Sequence, residues 1–333
     1  MSTRSAHHKN AHTAHDLYTE VTDRVIAALE AGTPPWRKPW SSPGNASNAS
    51  NASPEMPCNA VTGARYRGIN VLALTMSALA FATCDPRWAT YKQSADQGWQ
   101  VRKGERGTTA YFFKQLEVAG TRDDAKQDPA AATRRVPLLR AFTLFHASQI
   151  DGIPPFTALT GVEAPWRAPD AAETIVANSC ITIQIGGDRA YYAPASDHIQ
   201  MPPPNAFRSA DAWSSTILHE ASHASSHPSR LNRDLHNAAF GSPDYAREEL
   251  RAEVAQLMIC AELGIADCEF TNGAAYVKSW LEVLRSDRKE IFRAAAEAQR
   301  IADYLLAFHP DYAAGQQITT AAAVDAAGPS SPV

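Results

Sequence analysis

Between Ser209 and Pro228 the sequence reads S-A-D-A-W-S-S-T-I-L-H-E-A-S-H-A-S-S-H-P, and the first two of its three histidines, four residues apart, strongly constrain the local fold. Residues four apart on a helix lie on one face, one turn above the other. As a helix, this stretch lets His219 and His223 each offer a ring nitrogen about 2.0–2.1 Å from a single ion. Ser209 or Asp211 opens the helix and Pro228 must end it, while Trp213, Ile217, Ala221 and Ala224 give it a buried face. Glu220, turned about 100° from His219, can reach a metal-bound water rather than the metal. Such a water has its pKa drawn from 15.7 toward about 7. Glu220 is then placed as the catalytic base that takes the proton and hands it to a leaving amine.

Zinc needs a third protein ligand if one position is to stay open for chemistry. His227 fails on distance, since eight residues of helix span about 12 Å. The next strong helix opens at Ser242-Pro243-Asp244 and closes at Gly264, a cap, a first-turn proline and a terminal glycine. Its apolar stripe runs Ala246, Leu250, Val254, Leu257 and Ala261, with Glu249 and Glu253 four apart beside it. Like charges at that spacing repel slightly if merely solvated. They make sense if one binds the cation and the other hydrogen-bonds a ligand histidine. The E-x-x-x-E spacing resembles the E-x-x-x-D helix of gluzincin metallopeptidases, in which the first carboxylate is the ligand. That resemblance implies His219, His223 and Glu249 around one Zn2+ per chain, with Glu253 behind them; the reverse order of the two glutamates is the alternative. Tyr191, Tyr192 and His198 are the candidates for stabilising an oxyanion.

A chain of 333 residues accommodates two domains of the usual 100–200 residues or so. Net charge is −4, yet residues 1–150 hold 18 Lys and Arg against 12 Asp and Glu, and the rest hold 13 against 23. The front half is thus built to meet something anionic. Five scattered cysteines without a C-x-x-C pair argue against a disulfide framework and against cysteine-bound zinc. No run of about 18 apolar residues suggests a membrane span. The first residues also lack the apolar core of a secretory signal, so the expected location is the cytoplasm.

Along the chain, residues 1–15 are expected to be disordered. A helix runs from Asp16 to Glu30 on Leu17, Val21, Val25 and Leu29, and Gly32 stops it. Residues 41–57, with the repeat N-A-S-N-A-S-N-A-S, and the polar stretch 119–135 read as flexible loops. Trp99–Arg102, the turn K-G-E-R-G and Thr108–Phe113 read as a hairpin. Pro154-Pro155 marks a border, which predicts that a fragment ending near Asp151 stands alone. The expected fold class is α+β in two domains. Residues 16–150 form a small α+β domain and residues 156–310 a mostly helical one, followed by a disordered tail at 313–333.

The front half interleaves cations with large rings: Trp36, Arg37, Lys38 and Trp40; Arg65, Tyr66 and Arg67; Trp88 and Lys92; Trp99, Arg102, Lys103 and Arg106. Rings that stack bases and cations that follow phosphates are how single-stranded nucleic acid is held without sequence preference. With these residues in place, the chain resembles the ArdC antirestriction family. The likeness runs through P-P-W-R-K-P-W, N-A-V-T-G-A-R-Y-R-G-I-N and G-W-Q-V-R-K-G-E-R-G-T. It continues through I-L-H-E-A-S-H, S-R-L-N-R-D-L, Y-A-R-E-E-L-R-A-E and S-W-L-E-V-L-R-S-D-R-K-E-I-F. It implies an N-terminal domain that binds single-stranded DNA, a C-terminal zincin-like metallopeptidase domain, and protection of incoming plasmid DNA from host restriction. Subunits of a host restriction-modification system are the implied target. The alternative is a DNA-binding shield whose zincin domain is structural or non-proteolytic.

Overall fold

The computed structural model describes residues 14–32, 56–81, 83, 85–119, 133–156, 168–233, 241–265 and 273–312. Ala14–Glu30 is helix α1, and the four apolar residues that recur along it are each 4% exposed or less. Gly32 ends it at φ 75°, a conformation glycine enters without a Cβ clash. Then come Cys58–Asn59 (β1), Ile69–Ala78 (α2), Arg87–Ala89 (β2), Tyr91–Asp96 (α3), Gln100–Val101 (β3), Thr108–Ala119 (β4), Thr133–His146 (β5) and Ile150–Asp151 (β6). Thr90 and Gln93 form a reciprocal capping box that starts α3.

The expected hairpin does not form. β3 pairs with β6, Gln100 opposite Asp151, while β4 runs antiparallel to β5 from Thr108 opposite Leu144 to Ala119 opposite Thr133. The glycines locate a turn, but the partner is chosen by the twelve-residue ladder that β5 offers against the two residues of β3. Gly107 shows how close that partner is, since a Cβ there would lie 2.2 Å from Thr143 Cγ2. The ladder also takes Ala119 and Thr133 through Arg135 out of the segment expected to be a loop. Residues 120–132 and the repeat segment 41–55 lie outside the described residues. The front sheet has the order β1-β2-β5-β4.

The back half contributes Ala168–Asn178 (α4), Thr182–Ile185 (β7), Tyr191–Ala193 (β8), His198–Met201 (β9), Ala210–Ala224 (α5), Pro243–Leu263 (α6), Gly273–Ser286 (α7) and Glu290–Leu306 (α8). β9 lies between β7, parallel to it, and β8, antiparallel. Ser209 caps α5 by accepting the Ala212 amide. Ser242 caps α6, which ends on Gly264 in the left-handed region. α6 is more buried than its apolar stripe suggests, because Glu248, Glu249, Glu253 and Gln256 are all under 7% exposed.

The two domains share one apolar core. Leu17, Val21, Val25 and Leu29 of α1 belong to the same buried cluster as Ile217, Leu250, Trp280 and Ile301. Tyr18 and Tyr111 both meet the Phe292 ring edge-on. Around the seam Arg285 pairs with Glu30 and Arg288 with Asp23, and the Gly68 amide donates to Gln299. Pro154-Pro155 therefore divides the sequence without dividing the core. No helix among the described residues is long and apolar enough to cross a membrane.

Candidate metal centre and nucleic-acid interface

α5 and the first turns of α6 bring the three expected ligand residues together. The Nε2 atoms of His219 and His223 lie 3.2 Å apart. Glu249 places Oε2 3.7 Å from His219 Nε2 and Oε1 3.6 Å from His223 Nε2. Tetrahedral bonds of about 2.0–2.2 Å would set donor atoms roughly 3.4 Å apart, so these side chains fit a single divalent ion. Burial alone would raise the Glu249 carboxyl, but the neighbouring His223 and His219 and a hydrogen bond with Tyr245 hold it down at about 2. Burial would lower His219, whereas its contact with Glu249 and the charge of Glu220 drive it up to about 9.

Behind the ligand atoms stands a residue that sequence reasoning missed. His223 Nδ1 lies 3.1 Å from Glu248 Oε1. Glu248 is gripped from the other side by Arg233, whose two Nη atoms reach its two oxygens at 2.5 and 2.9 Å. Burial pushes the Glu248 carboxyl up, and the His223 and Arg233 contacts more than offset this, leaving it below the usual range. An ionised carboxylate only accepts hydrogen bonds, so Nδ1 must carry the hydrogen and Nε2 is left with its lone pair. Glu248 thus makes with His223 the kind of hydrogen bond expected of Glu253. Glu253 is 2% exposed farther along α6, and its charge bears on His219. Sequence reasoning followed only the pair Glu249 and Glu253 beside the apolar stripe and missed Glu248, which is 4% exposed. The signal was present as three glutamates within R-E-E-L-R-A-E, in the second and third turns of the helix.

Tyrosines near the centre also differ from expectation. Tyr192 donates to Asp197 at 2.9 Å and lies against Arg230, so its hydroxyl is engaged; His198 Nδ1 faces the Ser196 hydroxyl at 2.8 Å. Tyr245, one turn before Glu249, hydrogen-bonds that carboxylate and meets the Tyr276 hydroxyl of α7 at 3.1 Å.

The ring and cation residues of the front half separate into four groups. Trp36, Arg37, Lys38 and Trp40 lie outside the described residues. Trp88 is 0% exposed, with Phe81 and His146 against its ring; this corrects its assignment to DNA, because no face is left for a base. It is buried because β2 sits inside the front sheet between β1 and β5. Tyr66 packs on the same cluster, and Trp99 packs beside Val101 and Ile150. Arg65 and Arg67 are paired with Glu262 and Asp303 of the back half. Lys92 holds Asp96, while Arg102 holds Glu105 and Asp151. Lys103 and Arg106 are exposed, and no ion pair among the described residues uses either. Tyr91, the ring beside Lys92, is 56% exposed. It lines an open groove with Arg102, Lys103, Phe145 and Asp151.

Residues 170–297 match the family model of a zincin-like metallopeptidase, and residues 15–145 match that of the N-terminal domain of the anti-restriction factor ArdC. The metal-free crystal structure of antirestriction protein ArdC from plasmid R388 matches with a TM-score of 0.71 and 38% identity, over 89% of this chain and 98% of that one. The chain belongs to the ArdC antirestriction family. The Mn(II)-bound structure of the R388 protein matches with a TM-score of 0.69 and 39% identity, at the same coverage. The uncharacterized protein y4eC of Sinorhizobium fredii is 40% identical over 89% of this chain and 93% of that protein. A DNA primase TraC of Escherichia coli is 44% identical over 93% of this chain, which spans only 29% of TraC.

Proposed function

We propose that this protein binds single-stranded DNA through its front half and carries a divalent-metal peptidase centre in its back half, acting in the bacterial cytoplasm to protect incoming plasmid DNA from restriction. His219, His223 and Glu249 hold the ion, one per chain, and Glu220 is the base. The observation that carries the reading is the convergence of the three donor groups at tetrahedral spacing with a buried Glu220 alongside. A bound divalent ion acidifies a water and polarises a carbonyl. Glu220 takes the proton of the attacking water on a carboxylate oxygen and delivers it to the amine nitrogen as the C–N bond breaks. Zinc suits the two imidazoles and one carboxylate; the Mn(II)-bound R388 relative makes manganese the second candidate. A structural ion is disfavoured because the R388 fold also exists metal-free. Glu220→Gln should keep the ion, measured by elemental analysis, and lose cleavage of casein or of restriction subunits. Equal cleavage by the variant would remove Glu220 from the chemistry. A wild type that protects DNA without cleaving either substrate would favour the non-proteolytic shield.

For the front half, exposure and free charge support a DNA path across the groove beside Tyr91, past Lys103 and Arg106. Tyr91→Ala in the full chain should weaken single-stranded DNA binding by about 1–3 kcal/mol and leave its salt dependence unchanged, because stacking releases no counterion. Lys103→Ala should instead flatten the log-log salt slope by about 0.7. Fluorescence anisotropy over a salt series separates the two, with exposed Phe112→Ala as the comparison. Loss of affinity in Phe112→Ala but not in Tyr91→Ala would move the path elsewhere.

A further inference from the structure

We propose that Arg233, which touches no ligand atom, is a positioning residue that sets the metal affinity of the centre through Glu248 and His223. The inference rests on the reading of His219, His223 and Glu249 as metal ligands. The segment Ser225–Arg233 that follows α5 carries two arginines with buried side chains and separate tasks. Arg230, its side chain 8% exposed, grips Asp197 in the turn between β8 and β9 and donates through Nε to the Ala224 carbonyl at 2.7 Å. Arg233, 7% exposed, spans from α5 to α6, reaching the Ser222 carbonyl at 2.8 Å and both oxygens of Glu248.

The physical need for Arg233 follows from where Glu248 sits. A carboxylate only 5% exposed bears a large desolvation cost unless a partner with matched donors faces it. The guanidinium fork supplies two parallel donors and fixes the plane of the carboxylate. Oε1 is then aimed at His223 Nδ1, which fixes both the tautomer and the ring orientation. With Arg233 removed, Glu248 can rotate or admit water, and the Nε2 lone pair of His223 no longer has a fixed aim. Arg230 offers the contrast, since its bonds hold the sheet to the end of α5 without reaching a ligand.

The test uses the full chain, stripped with a chelator and reloaded. Zinc affinity is read by competition with a chromophoric chelator, and ligand geometry by the visible spectrum of the Co(II) form. Arg233→Gln should weaken zinc binding by about 10–100-fold, as loss of an outer partner does, and alter the Co(II) spectrum. Arg233→Lys should recover part of both. Arg230→Lys should lower the melting temperature and leave affinity and spectrum at wild-type values. If Arg233→Gln does not fold, Glu248→Gln interrupts the same chain of contacts and must give the same two changes. Wild-type affinity and an unchanged spectrum in the folded Arg233 or Glu248 variants would overturn the inference. A wild-type chain that takes up neither ion would instead remove the metal reading beneath it.

Discussion

Glu249→Ala is expected to cost the centre its ion, with a loss of affinity well beyond the roughly 10–100-fold that an outer partner is worth. It removes one of three donor groups and leaves two imidazoles facing each other at 3.2 Å. Glu253→Ala should stay within the outer-partner range, because that carboxylate acts on His219 through charge. If the two variants exchange places, the ligand is Glu253 and the centre lies one turn farther along α6. Wild-type affinity should also depend on pH in a defined direction. His219 in the metal-free protein is raised to about 9 and must be neutral to bind metal. Affinity should therefore climb as pH rises toward 9, with proton release on binding at pH 7. Calorimetry in buffers of differing ionisation enthalpy counts those protons, and their absence would mean His219 is neutral before the ion arrives.

Cutting the chain after Asp151 is expected to abolish cooperative folding of the front half. Leu17, Val21, Val25 and Leu29, each at most 4% exposed, pack in the cluster that includes α7 and α8. Burying such a side chain contributes about 1.5–3 kcal/mol, so exposing all four forfeits on the order of 6–12 kcal/mol. That equals the whole stability of an ordinary domain, about 5–15 kcal/mol. The fragment should show no sharp thermal transition, and co-expression with residues 152–333 should restore one. A fragment that melts cooperatively by itself would mean that α1 finds a different partner. Trp280→Ala, which also breaks the bond to the Ala246 carbonyl, should destabilise the intact protein by about 3–5 kcal/mol.

Local rules made much of this protein legible. A four-residue apolar repeat closed by glycine is enough for α1, since helix geometry acts within a few residues. Ser242, Pro243 and Gly264 bound α6 for the same reason, and the spacing of His219 and His223 needs only one turn of helix to bring both rings to one side. What the sequence could not disclose depends on which segments meet. β3 and β4 look like a hairpin until β5 competes for β4 with a twelve-residue ladder. Trp88 and Tyr91 are three residues apart and chemically alike, yet the sheet buries one and the end of α3 exposes the other. Arg65 and Arg67 read as free cations until α6 and α8 bring Glu262 and Asp303 to them. Glu248 gains its role only because the fold brings both His223 and Arg233 to its carboxylate. Sequence alone determined the main helices and the paired histidines, because backbone geometry and side-chain spacing are settled over a few residues. Tertiary structure decided the strand partners, the buried charges and the shared core, because burial and desolvation depend on residues that the chain order keeps far apart.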